Sequence, residues 1–123
     1  MVEALVEAGA CGFKVAIRAT KEKEGLVDGT LRLAVASGCQ NVMALARALN
    51  GTRSVREFMG GLTNNLVFPE ASKHIRCSDC PVPSAILKTA HVEMGMALPK
   101  DVTIKFRMKT AGKEVTNPNP EHR

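Results

Sequence analysis

The sequence predicts an α+β domain, a small and mostly antiparallel sheet that is covered on one face by helices. Two alternating segments joined by a polar turn predict an N-terminal hairpin, and apolar residues at helical spacing follow it. A last alternating segment predicts a C-terminal strand. The chain has 123 residues, which is the length of one domain. We therefore expect a single α+β domain over residues 1–109 and a flexible polar tail over residues 110–123.

The N-terminal hairpin is predicted from residues 11–20 and 30–37. Each segment carries apolar side chains at every second position, as a half-buried strand does. The stretch between them ends in Asp28-Gly29, which is typical of a turn. Centring the hairpin on this turn places Ile17 opposite Leu33. The predicted inward residues are Phe13, Val15, Ile17 and Ala19 in the first strand and Leu31, Leu33 and Val35 in the second.

Helices are predicted in the middle of the chain. Apolar spacing indicates one over residues 40–49, and the Ser-x-x-Glu pattern of residues 54–57 is a capping box that opens a short second one. Residues 69–75 favour a third, with a proline in its first turn. A longer amphipathic helix is expected from the prolines at 81 and 83 to about residue 97. Residues 102–109 then alternate without a fault and predict the C-terminal strand.

Charge and composition exclude several function classes. Lys and Arg number 17 and Asp and Glu 12, a net charge of +5, but the basic residues are dispersed and the chain has no Trp or Tyr for base stacking. A nucleic-acid partner is therefore not expected. No apolar run is long enough to span a membrane, and Met1-Val2-Glu3 is acidic where a secretory signal is basic. We expect a cytoplasmic protein with no membrane partner.

The four cysteines carry the main functional hypothesis. In the centred hairpin Cys11 lies opposite Cys39 at the open end, and both side chains point toward the helices. Cys77 and Cys80 have the two-residue spacing that lets both sulfurs face one point, as in zinc and iron–sulfur sites and in dithiol pairs.

Two of these cysteines directly precede a predicted helix, since Cys39 comes before the helix of residues 40–49 and Cys80 before the long helix. A helix N-terminus favours a thiolate. In a reducing cytoplasm such a set is typical of metal binding. We predict that Cys11, Cys39, Cys77 and Cys80 together bind an iron–sulfur cluster, with the four-iron, four-sulfur form slightly preferred, or zinc.

Several alternatives stay open. In the first, Cys11 and Cys39 are buried core residues. In the second, they form a cross-strand disulfide with each other. His74, three residues before Cys77, replaces one thiolate in a third, and Cys80 forms a nucleophilic pair with His74 or His91 in a fourth. An interaction module without a site is the last. No phosphate loop or hydrolase motif is present in the sequence, so a conventional hydrolase or transferase is not expected.

A thiol relay is the main alternative function, in which Cys80, helped by Cys77, accepts and passes on sulfur or electrons. The run Cys80-Pro-Val-Pro83 resembles the Cys-Pro-x-Pro motif of the TusA-type sulfur carriers, in which a cysteine at a helix N-terminus carries a persulfide. This resemblance implies that Cys80 is the sulfur-bearing residue. A redox or sulfur-transfer protein would then be the partner, and a homodimer is a further alternative.

The overall pattern is also similar to a small archaeal family of uncharacterised proteins, which implies no activity. The residues that carry this likeness are Cys11-Gly-Phe, Ser37-Gly-Cys39, Cys77-x2-Cys80-Pro-Val-Pro-Ser-Ala-Ile and Ala97-Leu-Pro-Lys-Asp-Val102.

Overall fold

The computed structural model describes residues 1–109, which form a four-stranded antiparallel sheet in the order β1-β2-β3-β4 with three α-helices. The α+β fold class is confirmed. The predicted tail over residues 110–123 lies outside the described residues. The strands are β1 (Val2–Glu7), β2 (Lys14–Lys23), β3 (Thr30–Ser37) and β4 (Gly51–Ser54), and the helices are α1 (Gln40–Leu49), α2 (Val67–His74) and α3 (Val82–Glu93), with a 3₁₀ helix at Val55–Phe58.

The predicted hairpin is β2 and β3, with a register shifted by two residues. Ile17 pairs with Val35 and not with Leu33, because the loop closes on the pair Lys23 and Thr30 and is therefore centred later in the chain than predicted. A shift of two keeps the side chains of both strands on their predicted faces. The prediction that Phe13 is an inward strand residue is wrong, because it precedes β2 and is 42% exposed. Six inward residues are 0–3% exposed, namely Val15, Ile17 and Ala19 of β2 and Leu31, Leu33 and Val35 of β3.

The strand predicted over residues 102–109 is wrong for this structure, since the segment has no regular secondary structure there. Both edges of the hairpin are already occupied, that of β2 by β1 and that of β3 by β4, and neither of these strands was predicted. Residues 102–109 therefore have no free edge of the hairpin to pair with. Their apolar side chains are exposed, from 67% at Val102 to 96% at Met108.

The helices cover the inward face of the sheet. Helix α1 packs on β3, α3 packs on β1 and β2, and α2 contacts both helices. The α1 boundaries are as predicted, and the capping box of Ser54 and Glu57 is formed, although it opens a 3₁₀ helix. Helix α3 ends four residues earlier than predicted because Gly95 has a φ of 79°, which no regular helix continues through.

Two polar side chains fasten helices to the sheet. The Asn50 side chain accepts a hydrogen bond from the Val35 N–H at 2.8 Å and donates one to the Val35 carbonyl at 3.3 Å. The Glu93 carboxylate accepts one from the Lys21 N–H at 2.7 Å. These bonds fix the C-terminal ends of α1 and α3 on β3 and β2. Among the helices of residues 1–109, none has the length and apolar character needed to cross a membrane.

Candidate thiol site

Cys77 and Cys80 form a tight turn directly before α3. The Cys80 N–H donates to the Cys77 carbonyl at 3.1 Å, and the Cys80 sulfur accepts a hydrogen bond from the Val82 N–H, the first residue of the helix. Cys80 is half-buried at the edge of the core, whereas Cys77 is exposed. The predicted placement of Cys80 at a helix N-terminus is therefore correct.

Cys39 is the N-cap residue of α1. Its N–H donates to the Ser37 hydroxyl at 3.1 Å, and its carbonyl accepts from the Met43 N–H at 2.9 Å. Its sulfur caps no N–H of the first helical turn within the part of the chain that the structure describes. The side chain is half-buried, at the rim of an open depression of about 360 Å³. The residues that line this depression are Phe13, Gly38, Cys39, Gln40 and Asn41.

Cys11 lies in the turn between β1 and β2, where it is exposed. The prediction that it pairs with Cys39 across a hairpin is wrong, because β2 begins at Lys14 and its pairing with β3 ends at Val15 and Ser37. The turn is closed by a hydrogen bond from the Ala8 N–H to the Phe13 carbonyl at 3.1 Å.

Phe13 nevertheless brings this turn close to Cys39. Its ring atom Cδ1 lies 3.5 Å from the position that a Cβ on Gly38 would take, so the ring packs over the glycine that precedes Cys39. Sequence analysis missed this contact. The sequence pattern predicts Phe13 as an inward strand residue. Its position in the structure depends on where β2 begins, which is after Phe13.

Electrostatics connect the four cysteines. Burial raises the pKa of the Cys80 thiol, and the hydrogen bond from Val82 lowers it. Negative charge on Cys39, Cys11 and Cys77 raises the pKa of Cys80 further. Such interactions weaken with distance, so the three thiols are close enough to Cys80 to influence its proton. Cys11 and Cys77 belong to turns, whereas Cys39 and Cys80 stand at the starts of helices.

All four cysteines carry free thiols, so the cross-strand disulfide between Cys11 and Cys39 is not formed. The exposure of Cys11 also excludes its interpretation as a core residue. In their present positions, no three His, Cys, Asp or Glu side chains of residues 1–109 are arranged to hold a metal ion. A shared metal centre therefore requires the turns that carry Cys11 and Cys77 to close on Cys39 and Cys80.

The two histidines considered as partners of these thiols have other contacts. The His91 Nε2 atom lies 2.6 Å from the Phe58 carbonyl oxygen and ties α3 to the 3₁₀ helix. The His74 Nε2 atom lies 3.8 Å from a carboxylate oxygen of Glu70, one turn earlier in α2. His91 is therefore a structural residue, and His74 is an ion-pair partner when it is protonated.

Comparison with known proteins yields one match. The model of a protein family described as "Family of unknown function (DUF6951)" matches residues 2–106. The chain belongs to this family. The match confirms the prediction of an uncharacterised family, and it extends from β1 through α3 into the exposed segment that follows. No curated protein and no solved structure matches the chain.

In this member of the family, the four thiols differ in their surroundings. Cys39 and Cys80 are half-buried at helix starts on packed elements, and Cys11 and Cys77 are exposed on turns. Thiolates are soft ligands that suit zinc, copper(I) and iron–sulfur clusters. The same set also offers a half-buried thiol with an exposed neighbour, which is the arrangement of a dithiol pair.

Proposed function

We propose that this protein is a cytosolic metal-binding protein, in which thiolates of Cys11, Cys39, Cys77 and Cys80 hold an iron–sulfur cluster or a zinc ion. The observation that carries this proposal is the position of Cys39 and Cys80, which are half-buried at the starts of α1 and α3, with the exposed Cys77 in the same turn as Cys80. The raised pKa of Cys80 is consistent with it.

The direction of this pKa shift favours metal binding over nucleophilic chemistry. Burial, and after it the like charges of the other thiols, raise the pKa of Cys80, so this thiol holds its proton more tightly than an ordinary thiol. A protonated thiol is a poor nucleophile. A bound cation reverses the effect, because it deprotonates a coordinating thiol outright. The site is therefore better suited to hold a cation than to attack a substrate.

The distribution of the thiols among packed and exposed elements supports the same function. Cys39 and Cys80 are half-buried, and their helices pack on the sheet, so they supply two ligands at nearly fixed positions. Cys11 and Cys77 are exposed on turns. Closure around zinc would bring the sulfurs to about 4 Å from one another, given Zn–S bonds of about 2.3 Å. Such closure moves two short turns and leaves the sheet in place.

The test is metal analysis of the full chain, purified without oxygen and then reconstituted separately with zinc and with iron and sulfide. We expect a stoichiometric zinc ion, or iron and acid-labile sulfide in equal amounts. Replacement of any one of the four cysteines by serine should prevent assembly of the iron–sulfur cluster, or weaken zinc binding by about 10²- to 10³-fold. Ser78→Ala is a matched control, because it alters the same turn and keeps all four thiols. Failure of the reconstituted protein to hold either metal stoichiometrically would overturn the proposal.

A thiol relay is the second candidate, and it is favoured by the hydrogen bond from the Val82 N–H to the Cys80 sulfur. In this function Cys80 takes a sulfane sulfur from a persulfide donor and passes it to a redox or sulfur-transfer partner. Cys80→Ser would then abolish persulfide formation, whereas Cys11→Ser and Cys39→Ser would leave it intact. Mass spectrometry after incubation with a persulfide donor measures this, and equal dependence on all four cysteines contradicts it.

A further inference from the structure

The segment of residues 102–108, called the C-terminal segment below, has the side-chain pattern of a strand. Polar and basic residues occupy its odd positions and apolar residues its even positions, which is the period of a half-buried strand. Yet the apolar side chains are exposed to solvent. Their exposed fractions are 67% for Val102, 70% for Ile104, 90% for Phe106 and 96% for Met108.

Strand β1 presents an edge that lacks a strand partner within residues 1–109. Its inward side chains, Val2, Ala4 and Val6, are only partly buried, whereas the inward residues of β2 and β3 are 0–3% exposed. The apolar layer between the sheet and the helices is therefore incomplete at β1. One more strand with apolar residues at alternate positions would complete it.

The charges of the two elements are complementary. Glu3 and Glu7 lie on the outward face of β1, and the outward positions of a strand added beside it would hold Lys105 and Arg107. Opposite charges on neighbouring strands stabilise the pairing. The other edge of the sheet is less suitable, because β4 has only four residues and carries Arg53.

We propose that the C-terminal segment of one copy adds as a fifth strand to the β1 edge of a second copy. The segment lies exposed on its own chain, so its apolar face is available to another. Every copy carries both the strand and the edge, and reciprocal exchange therefore closes a two-fold symmetric dimer. Addition of an extended segment to a free sheet edge is a recurrent mode of recognition.

The first test is the oligomeric state of the full chain, measured by size-exclusion chromatography with light scattering and by sedimentation. The wild type should be a dimer at concentrations of about 100 µM, which is within reach of even a small interface. The double variant Ile104→Asp/Phe106→Asp should weaken dimerisation at least about 100-fold. Leu62→Asp is the matched control, because Leu62 is as exposed as Ile104, at 70%, but lies outside both the C-terminal segment and β1.

A charge-reversal experiment tests the β1 edge. One variant carries Glu3→Lys and Glu7→Lys, and a second carries Lys105→Glu and Arg107→Glu. In either variant alone, the added C-terminal segment and the β1 edge beside it carry charges of the same sign. Each variant should therefore be monomeric. An equimolar mixture restores opposite charges at both strands, so it should form a heterodimer.

Several outcomes would overturn the proposal. A monomeric wild type at the highest concentration means that the segment does not pair with a second copy. A dimer that survives Ile104→Asp/Phe106→Asp, or charge-reversed variants that do not associate when mixed, would place any dimer interface elsewhere. Circular dichroism of each variant verifies that the β1 substitutions leave the fold intact.

Discussion

Cys39→Ser separates metal binding from folding, because its two effects are expected to differ greatly in size. Cys39 is the N-cap of α1, and its sulfur caps no N–H of the first turn within the described chain. Serine is among the preferred N-cap residues, and a side-chain cap stabilises a helix by about 1 kcal/mol. Loss of a half-buried sulfur costs less than about 1 kcal/mol in apolar burial. We therefore expect the metal-free variant to stay within about 1 kcal/mol of wild type.

The effect on zinc binding should be much larger. Structural zinc sites with four ligands bind with about 10–16 kcal/mol, or roughly 2.5–4 kcal/mol per ligand. A serine hydroxyl does not replace a thiolate ligand. The expected loss of affinity is therefore about 10²- to 10³-fold.

Two measurements check this prediction. Urea unfolding in the presence of a chelator gives the free energy of unfolding of the metal-free protein, and competition with a chromophoric chelator gives the zinc affinity. Gln40→Ala, at the next position of the chain, is the control for a change at the start of α1 that spares every thiol. Zinc affinity within about threefold of wild type would show that Cys39 is not a ligand. Destabilisation of the metal-free variant by more than about 2 kcal/mol would refute the capping argument.

Two further predictions concern the stability of the metal-free protein. Because the pKa of Cys80 is raised by folding, the stabilisation linked to its proton is complete below the pKa of the unfolded thiol and is lost as pH rises through the folded value. The free energy of unfolding should therefore decline as pH rises above about 8.5, the ordinary pKa of a thiol. Cys80→Ser should reduce that decline in urea titrations at each pH, and an unchanged slope would contradict the prediction. Asn50→Ala removes the paired hydrogen bonds to Val35 and should cost about 2 kcal/mol in the same assay, against less than about 0.5 kcal/mol for the control Asn41→Ala. A cost below about 0.5 kcal/mol for Asn50→Ala would show that these bonds do not fasten α1 to the sheet.

Much of the fold could be predicted because its elements have strong local signals. The alternation of β2 and β3, the helical spacing of α1 and the Ser54 capping box each follow from neighbouring residues, and each is present. Strand β4 has no such signal, because Gly51–Ser54 contains no apolar residue and forms by pairing with β3. Strand β1 has a weaker signal, since Leu5 points outward and is 78% exposed.

The candidate site could be predicted only in part, for a related reason. The positions of Cys39 and Cys80 depend on local helix starts, which sequence patterns indicate well. The position of Cys11 depends on where β2 begins and on the register between strands, which is decided by where the connecting loop closes. The alternation over residues 102–108 likewise indicates a strand but does not say which edge it joins.

The spatial order of the strands, which is the same as their order along the chain, also bears on how the protein folds. Each strand pairs with its neighbour in sequence, so the sheet needs no crossover connection and no strand pairs with a distant one. Domains rich in local contacts fold faster than those that depend on distant pairings. The proposed metal site would be the exception, because it would join Cys11 in the first turn to Cys80 before the last helix. Its assembly would follow the docking of α3 and would be a late step of folding.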